Sequence, residues 1–377
     1  MKVAIRSLMK ATAALTLAAM LAGTGADRAA AQVAANFDAA SYFKGKTIEL
    51  IIPLRAGGTV DLVARYFASE FPKFLPGEPR ILARNVTPRI AGANFVSKSK
   101  PDGFTFGLVS TVLYQDQFHP SATFDVAKFR YIGSTNSVSG PLFVRGDLPY
   151  KDIVAAKGGK TPIRVITMPD PASVTGFDFA PLLLAEAFNL PLQAIPVSDT
   201  ALQVQLLMLE RGEIDGISRG IVYYHLPHIR PGWIAKNTVK PFAFFGMPGV
   251  KMWQANEEAP PVPNVTDLIE DPKLKEAWEA TVLSNLALWV PFYLPPETPQ
   301  PIVEVYRKAF KAAMDDPAFR KGYEAIDGVA AQPVSGEEAQ KMVERFGALA
   351  ESFRPKYEPL VKELYKKYTD AYKNRQK

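Results

Sequence analysis

A chain of 377 residues, 47% hydrophobic and 22% charged, is long enough for two domains and too apolar to be disordered throughout. Its formal net charge of +6 leaves only +3 after residues 1–31 are set aside, because that segment holds four basic residues and one acidic residue. This small surplus gives no electrostatic case for nucleic-acid binding. The absence of cysteine excludes disulfides, thiol nucleophiles and thiolate metal sites.

Residues 1–31 have the layout of a secretory signal peptide. Basic residues near the start precede an apolar or small run at residues 11–22, and three alanines at residues 29–31 suit a signal peptidase. An apolar run of about 12 residues is too short to cross a membrane core, which needs about 20. We therefore expect export with removal of residues 1–31, and a soluble mature chain.

Strand-like and helical segments alternate along the remaining chain. Apolar runs predict strands at residues 47–53, 80–85, 104–109, 141–145, 164–167, 213–217, 242–246 and 288–293. Helical periodicity predicts a helix after Gly58, another at residues 201–211 and another from Ile302 onward. The apolar stripe of the first of these helices comprises Val60, Val63, Ala64, Phe67, Ala68 and Phe71. The alternation predicts a largely parallel sheet with helices on both faces.

The tail at residues 336–377 is predicted to be mostly helical, with an interruption at Pro355. Beyond Pro355 its apolar stripe comprises Tyr357, Leu360, Val361, Leu364, Tyr365 and Tyr368, and the remaining positions are rich in lysine. One interpretation is a helix that faces a partner or a membrane surface. We favour the other, a helix packed on the protein body with a solvated basic face.

The most informative segment is the turn at residues 53–61, with the sequence PLRAGGTVD. A buried strand leads into a helix across Gly57 and Gly58, so unpaired backbone N–H groups and the positive end of the helix dipole meet there. Such a helix start binds anions, and Arg55 could add a bidentate contact to a carboxylate. Turn geometry alone explains the pattern equally well. Asp61 is expected to be a capping residue before it is a ligand contact.

The mature sequence does not contain the phosphate-binding loop pattern. The spacing of the G-x-S-x-G nucleophile elbow occurs once, at residues 216–220 (GISRG). His225 and His228 could lie near each other on one helix turn, but no third ligand stands at a zinc-site spacing, so two structural histidines are favoured. Ser173 and Thr175 have no histidine at a recognisable spacing.

Several short motifs, taken in their order along the chain, resemble one family. They lie at residues 45–48, 53–61, 64–65, 91–94, 101–105, 195–197, 206–207, 212–215, 226–232 and 295–299. In this order the chain is similar to the periplasmic solute-binding receptors of tripartite tricarboxylate transporters, also called the Bug family. The motifs cover residues 44 to 350, which is most of the mature chain.

The resemblance implies an α/β fold of the periplasmic binding protein type II kind, with two doubly wound lobes and a ligand cleft between them. The first lobe would comprise residues 44–143 and 241–354, and the second lobe residues 144–240. Residues 355–377 would form a C-terminal helical extension beyond the family's usual end.

The resemblance also implies the ligand contacts, which in this family come largely from backbone amides, loop hydroxyls and bound water. In the first lobe they would be Arg55, Ala56, Gly57, Gly58, Thr59, Ser110 and Thr111. In the second lobe they would be Ser173, Thr175, Gly176, Ser198 and Asp199. The segment around His228 matches a position of the family that looks structural.

The chain departs from the family pattern at two places. The second-lobe turn lacks the usual histidine in the helix that follows, and it carries Asp170 and Asp178, which would disfavour a second carboxylate if they face the cleft. Arg219 stands where the family often has Asp or Asn. It could recruit an anion at a strand end, or it could equally be a surface or salt-bridged arginine.

Together these features predict an exported, periplasmic receptor and not an enzyme. It would close around a small organic carboxylate and deliver it to the membrane subunits of a tripartite transporter. We expect a monomer that needs no metal or organic cofactor and binds no nucleic acid. The alternatives are an exported sensor-input protein and an exported hydrolase of small acids.

Overall fold

The computed structural model describes residues 37–109, 113–137, 139–171, 176–198, 202–218, 220–252, 261–328 and 330–373. The expected leader, residues 1–31, lies outside these ranges. The described strands fall into two separate sheets, one of six strands and one of five, with helices packed against both.

The six-stranded sheet forms the first lobe. Its strands are β1 (Thr47–Ile52), β2 (Arg80–Asn85), β3 (Thr105–Leu108), β4 (Arg130–Asn136), β10 (Trp289–Leu294) and β11 (Val334–Ser335). Their order across the sheet is β11-β4-β10-β3-β1-β2. Strand β1 runs parallel to β2 and β3, which places the carboxyl ends of these three strands at one edge.

The five-stranded sheet forms the second lobe. Its strands are β5 (Gly140–Arg145), β6 (Ile163–Thr167), β7 (Leu192–Pro196), β8 (Gly216–Ile217) and β9 (Val239–Phe245). Their order is β7-β6-β8-β5-β9. Strand β6 runs parallel to β7 and β8, so these three strands also end at one edge.

Both sheets are mixed rather than largely parallel as the sequence predicted. Strands β10 and β5 pair antiparallel with their neighbours, and so does the short strand β11. The chain crosses from β4 into β5 and returns from the second lobe into β10. Because β5 follows β4 of the first sheet directly, without a helical crossover, nothing forces it to run parallel to its neighbours. Strands β5 and β9 pair within the second sheet from Gly140 and Phe245 to Arg145 and Val239.

The described helices lie on the faces and edges of the sheets. They are α1 (Ala39–Phe43), α2 (Thr59–Glu70), α3 (Arg89–Lys98), α4 (Leu113–Asp116), α5 (Gly176–Ala187), α6 (Leu202–Glu210), α7 (Gly220–Ile229), α8 (Pro272–Trp278), α9 (Ser284–Leu286), α10 (Gln300–Asp315), α11 (Pro317–Asp327) and α12 (Gly336–Lys373). A π-helical turn, Glu279–Leu283, joins α8 to α9. Within the described ranges, no helix combines the length and the apolar character needed to cross a bilayer.

The predicted stripe of α2 packs the first lobe as expected. Val60, Val63, Ala64 and Phe67 are buried on this helix, beside buried side chains of β1 such as Leu50. The helix is therefore fixed against the sheet by its apolar face, and its N-terminal end stands at the carboxyl end of β1.

The predicted interruption of the tail at Pro355 is wrong, because α12 runs unbroken from Gly336 to Lys373 through Pro355 and Pro359. A proline inside a helix removes one backbone hydrogen bond and costs roughly 3 kcal/mol. Burial of the apolar stripe, including Val361 and Leu364, offsets that cost. Helix α12 packs against β4 of the first lobe and β7 of the second, so its stripe faces the protein body as the favoured interpretation predicts.

Candidate functional site

The glycine turn between β1 and α2 is open to solvent. Arg55, Ala56, Gly57 and Gly58 are exposed, and Thr59 is half-buried at the first position of α2. Gly57 has a φ of +91°, a conformation that side-chain-bearing residues rarely adopt. A Cβ atom added at Gly57 or Gly58 would meet no atom of the structure within 4 Å. The turn therefore leaves room for a ligand to approach its backbone.

The start of α2 presents backbone donors to this open space. Gly58 is the N-cap residue and makes no side-chain capping hydrogen bond. The first hydrogen bond of the helical ladder runs from the N–H of Leu62 to the carbonyl of Gly58, at 3.0 Å. The N–H groups that precede Leu62 have no partner within the helix, and the helix dipole adds positive potential at the same place. Their arrangement suits an anion.

A buried carboxylate fixes the turn from inside. Asp61 is 2% exposed, and its Oδ2 accepts a hydrogen bond from the N–H of Gly57 at 2.9 Å. Arg65 donates to both carboxylate oxygens at 3.0 and 3.1 Å, and Asn85 of β2 donates to Oδ1 at 2.8 Å. Asn85 also donates to the carbonyl of Leu54 at 2.9 Å. Asp61 thus ties the turn to the neighbouring strand, and its inward position makes it a support rather than a contact for a ligand.

The electrostatics of the turn follow from these bonds. Burial alone would raise the pKa of Asp61, but hydrogen bonds from Arg65, Gly57 and Asn85 outweigh burial and lower it. The carboxylate is therefore ionised at neutral pH, and the charge of Arg65 balances it. Arg55 makes no ion pair with any described residue, so its charge is available to an incoming anion.

The second predicted contact of the first lobe, at Ser110 and Thr111, lies outside the described residues. In the sequence they follow Val109, which comes directly after β3. Ile51 of β1 and Gly107 of β3 are partners in the parallel ladder. Strand β3 therefore ends at the same edge of the sheet as β1, where the glycine turn begins.

In the second lobe, Ser173 and Thr175 lie outside the described residues, and Gly176 is the first residue of α5. Gly176 is buried, and a Cβ atom there would lie 2.4 Å from the carbonyl oxygen of Thr281 and 2.5 Å from Nδ2 of Asn285. Glycine is thus required for the start of α5 to approach the π-helical turn so closely. The structure gives Gly176 a packing role, and its contact with a ligand stays a prediction.

The remaining second-lobe candidates follow the ends of strands. Ser198 is exposed just beyond β7, while Asp199 and Arg219 lie outside the described residues. The N–H of Val197 donates to the carbonyl of Thr167 at 2.9 Å, which joins the ends of β7 and β6. Because β6, β7 and β8 run parallel, these three strands end at one edge of the second sheet. Ligands of open α/β sheets bind at such carboxyl edges.

Two buried polar residues in the second lobe were missed by the sequence reasoning. Thr167 is fully buried at the end of β6, and its hydroxyl has no hydrogen-bond partner among the described residues. Asn285 is 1% exposed; its Nδ2 donates to the carbonyl of Thr281, whereas no described residue bonds its Oδ1. Buried polar atoms without partners are rare and mark positions for a bound water or ligand. No sequence signal identifies them, because their burial depends on the packing of distant segments.

The histidines lie apart from both turns in the sequence and in their contacts. His225 and His228 lie beside Gly328 at the end of α11, and burial lowers the pKa of His225. His119 has its Nδ1 within 2.8 Å of the Ser121 hydroxyl. Among the described residues, no group of three or more His, Asp or Glu side chains is arranged to hold a metal ion.

Comparison with known proteins identifies relatives in sequence and in fold, although no protein-family model matches the chain. A UPF0065 protein of Cupriavidus necator, encoded in the gbd 5′ region, is 26% identical over 329 residues, which cover 84% of this chain and 85% of that protein.

Solved structures share the fold. The TctC solute-binding protein from Polaromonas, crystallised without ligand, superposes with a TM-score of 0.63 at 21% identity, covering 84% of this chain and 98% of that one. The adipate-bound protein Rpa4515 of R. palustris superposes with a TM-score of 0.54 at 18% identity, covering 83% and 97%. The predicted two-lobed binding-protein fold is confirmed, and so is the resemblance to this receptor family.

Proposed function

We propose that this chain is a solute receptor that holds a small organic acid between its two lobes without transforming it. The observation that carries the proposal is the open glycine turn, where α2 begins directly after the exposed Gly57 and Gly58 and no described side chain fills the space beside them. Helix starts of this kind bind carboxylates without a metal or a cofactor.

In the first lobe, the Asp61 network decides which donors remain for a solute. The N–H of Gly57 is already bonded to Asp61, so the available donors begin at Gly58 and continue into the first turn of α2. One carboxylate group of the solute would accept these hydrogen bonds, and Arg55 would add positive charge at the rim. Because these donors are already in place before binding, the free energy of binding does not include the cost of ordering a loop.

In the second lobe, the turns that follow β6, β7 and β8 would provide the opposing contacts. They include Ser173, Thr175 and Gly176 before α5, Ser198 and Asp199 after β7, and Arg219 after β8. A solute that touches both lobes stabilises the closed form, because only that form makes both sets of contacts. This differential contact is the basis of capture.

The proposal also covers the chemical class of the solute, the cellular compartment of the receptor and its membrane partner. An organic acid is supported by the open donors of α2 and by the adipate found in the R. palustris neighbour. The leader-like segment at residues 1–31 supports export to the periplasm. We infer that the closed receptor docks as a monomer on the membrane subunits of a tripartite transporter, as the family resemblance implies.

Thermal unfolding of the purified mature chain tests the function. We expect adipate or succinate to raise the midpoint, since a ligand at 100 times its Kd stabilises the folded state by about 2.7 kcal/mol. Hexane-1,6-diol and 1,6-diaminohexane, which match adipate in length but lack carboxylates, serve as controls. Equal stabilisation by the diol, or turnover of the acids to a product, would contradict a carboxylate receptor.

A further inference from the structure

Helix α12 is anchored to the first lobe over its first half. The side chain of Gln340 accepts a hydrogen bond from the N–H of Tyr131 in β4 at 3.1 Å and donates to the carbonyl of Ala127 at 3.2 Å. Further along, the guanidinium of Arg354 lies 4.9 Å from the centre of the Phe118 ring, in the segment between α4 and β4. The helix therefore keeps first-lobe partners as far as Arg354.

The second half of α12 is anchored to the second lobe. Nζ of Lys356 lies 2.7 and 2.8 Å from the two carboxylate oxygens of Glu276 in α8, a helix that packs against α5. The ring of Tyr357 contacts the ring of Phe179 in α5 edge to face, with centroids 5.7 Å apart. The helix also packs against β7 of the second sheet. Its partners thus change from the first lobe to the second between Arg354 and Lys356.

Two prolines stand at this change of partners. Pro355 and Pro359 lie inside α12, about one helical turn apart, and both are exposed. Proline has no backbone N–H, so the carbonyls of Glu351 and Pro355 receive no hydrogen bond from the residues four positions ahead. Because residues four apart lie on one face, the two missing bonds weaken the same exposed side of the helix. Helices bend at prolines for this reason.

A pocket lies beside the same segment of α12. Its volume is about 230 Å³, and it lies between α12, the π-helical turn and the segment that follows α4. Its lining includes Phe118, Ala280, Thr281, Ala350, Phe353 and Tyr357. Protein interiors are close-packed and leave few spaces of this size, so the pocket gives α12 room to shift without overlapping its neighbours.

We propose that Pro355 and Pro359 form a bending point in α12, through which the two lobes change their relative orientation. A straight helix fixed to both lobes would oppose such a movement, whereas a helix that bends where it crosses keeps its contacts with each lobe. This role rests on the proposed function, since movement of the lobes serves capture only in a receptor. The C-terminal helix would thus take part in closure as well as in packing.

A substitution in the first half of α12 provides the matched control. Gly347 lies inside α12, and among the described residues a Cβ atom there would meet only a methyl group of Val126, at 3.7 Å. Gly347→Ala therefore strengthens the helix within the part that is anchored to the first lobe. Pro355→Ala combined with Pro359→Ala strengthens it at the crossing, because both backbone donors are restored.

Spin labels can follow the two lobes, because the sequence contains no cysteine and two introduced cysteines are the only labelling sites. Lys98→Cys at the end of α3 in the first lobe and Lys157→Cys before β6 in the second lobe place both labels at exposed positions. Pulsed electron paramagnetic resonance then gives the distribution of distances between the labels, with and without adipate. In this labelled parent chain we expect a broad distribution that narrows and shifts when adipate binds.

The double proline variant should narrow the ligand-free distribution and reduce the adipate-induced shift by about half or more, without a lower thermal midpoint. Pro355→Ala alone should give an intermediate width, so the test does not depend on the double variant. Gly347→Ala should keep the distribution of the parent chain in both conditions.

The outcomes separate the bending point from the function. Equal distributions in the proline variants and the parent chain would overturn the bending point. Equal changes in Gly347→Ala would overturn it as well, because they would show a general effect of helix stability. If the parent chain binds neither adipate nor succinate, the receptor proposal fails, whereas the ligand-free distributions still decide whether the two prolines permit movement.

Discussion

The glycine turn of the first lobe and the end of β6 in the second lobe are both expected to lie near a bound solute, yet different contacts surround them. The first is fixed from within its own lobe by Asp61, whose partners are Gly57, Arg65 and Asn85. Beyond the end of β6, the carbonyl of Pro169 accepts a hydrogen bond from Tyr365 of α12, a helix that packs against both sheets. The comparison teaches that a short buried network supports the glycine turn locally, whereas Pro169 is contacted by a long helix from the far end of the chain.

The largest effect should come from breaking the local network with Asp61→Ala. The change leaves Arg65 and the N–H of Gly57 without their acceptor, and we expect the free energy of unfolding to fall by about 2–3 kcal/mol. Because Arg65 is 46% exposed, water replaces part of the loss. Urea unfolding measures the change. A loss below about 0.5 kcal/mol, the ordinary effect of a surface substitution, would contradict the supporting role of Asp61.

A smaller effect should distinguish the two glycines of the turn. Gly57→Ala places a side chain at a φ of +91° and should cost about 1–2 kcal/mol of stability. Gly58→Ala, at a φ of −84°, meets no backbone strain and should cost less, about 0.5–1 kcal/mol, because alanine is a poorer N-cap residue than glycine. Both Cβ positions are open, so the larger loss in Gly57→Ala reports backbone strain and not a clash. Equal thermal midpoints for the two variants would show that the turn adopts another conformation.

The smallest effect is a dependence of stability on pH. The folded pKa of Asp61 is lower than its unfolded value of about 3.9, so its ionised form stabilises the fold fully above that value. The contribution disappears as the pH falls through the folded pKa. We therefore expect the stability gap between the wild-type chain and Asp61→Asn to be constant near neutrality and to shrink below about pH 4. If this stability gap widened in acid, the folded state would raise the pKa of Asp61 instead of lowering it.

The sequence predicted the features that depend on neighbouring residues in the chain. The segment PLRAGGTVD identified the strand, the glycine turn and the helix start, and the stripe containing Val63 and Phe67 is buried as expected. The order of motifs predicted the fold. The unbroken helix at Pro355 was not predicted, because the local rule for proline takes no account of the burial of Val361 and Leu364.

The supporting contacts could not be predicted, because they join distant segments. Asn85 lies 24 residues from Asp61, and Tyr365 lies 196 residues from Pro169. The unpartnered hydroxyl of Thr167 and amide oxygen of Asn285 also depend on tertiary packing. Backbone donors at a helix start can be read from a turn sequence, but the residues that hold a turn in place can be read only from the folded chain.

The central claim is that N–H groups at the start of α2 hold the carboxylate of a solute. Calorimetric titration of adipate into the wild-type chain and into Gly58→Leu tests it most directly, because a leucine there fits the backbone and fills the open space above the helix start. The account predicts saturable binding by the wild-type chain and at least about tenfold weaker binding by Gly58→Leu, a difference of about 1.4 kcal/mol, with little change in its thermal midpoint. Equal adipate affinity in the two folded proteins would contradict it.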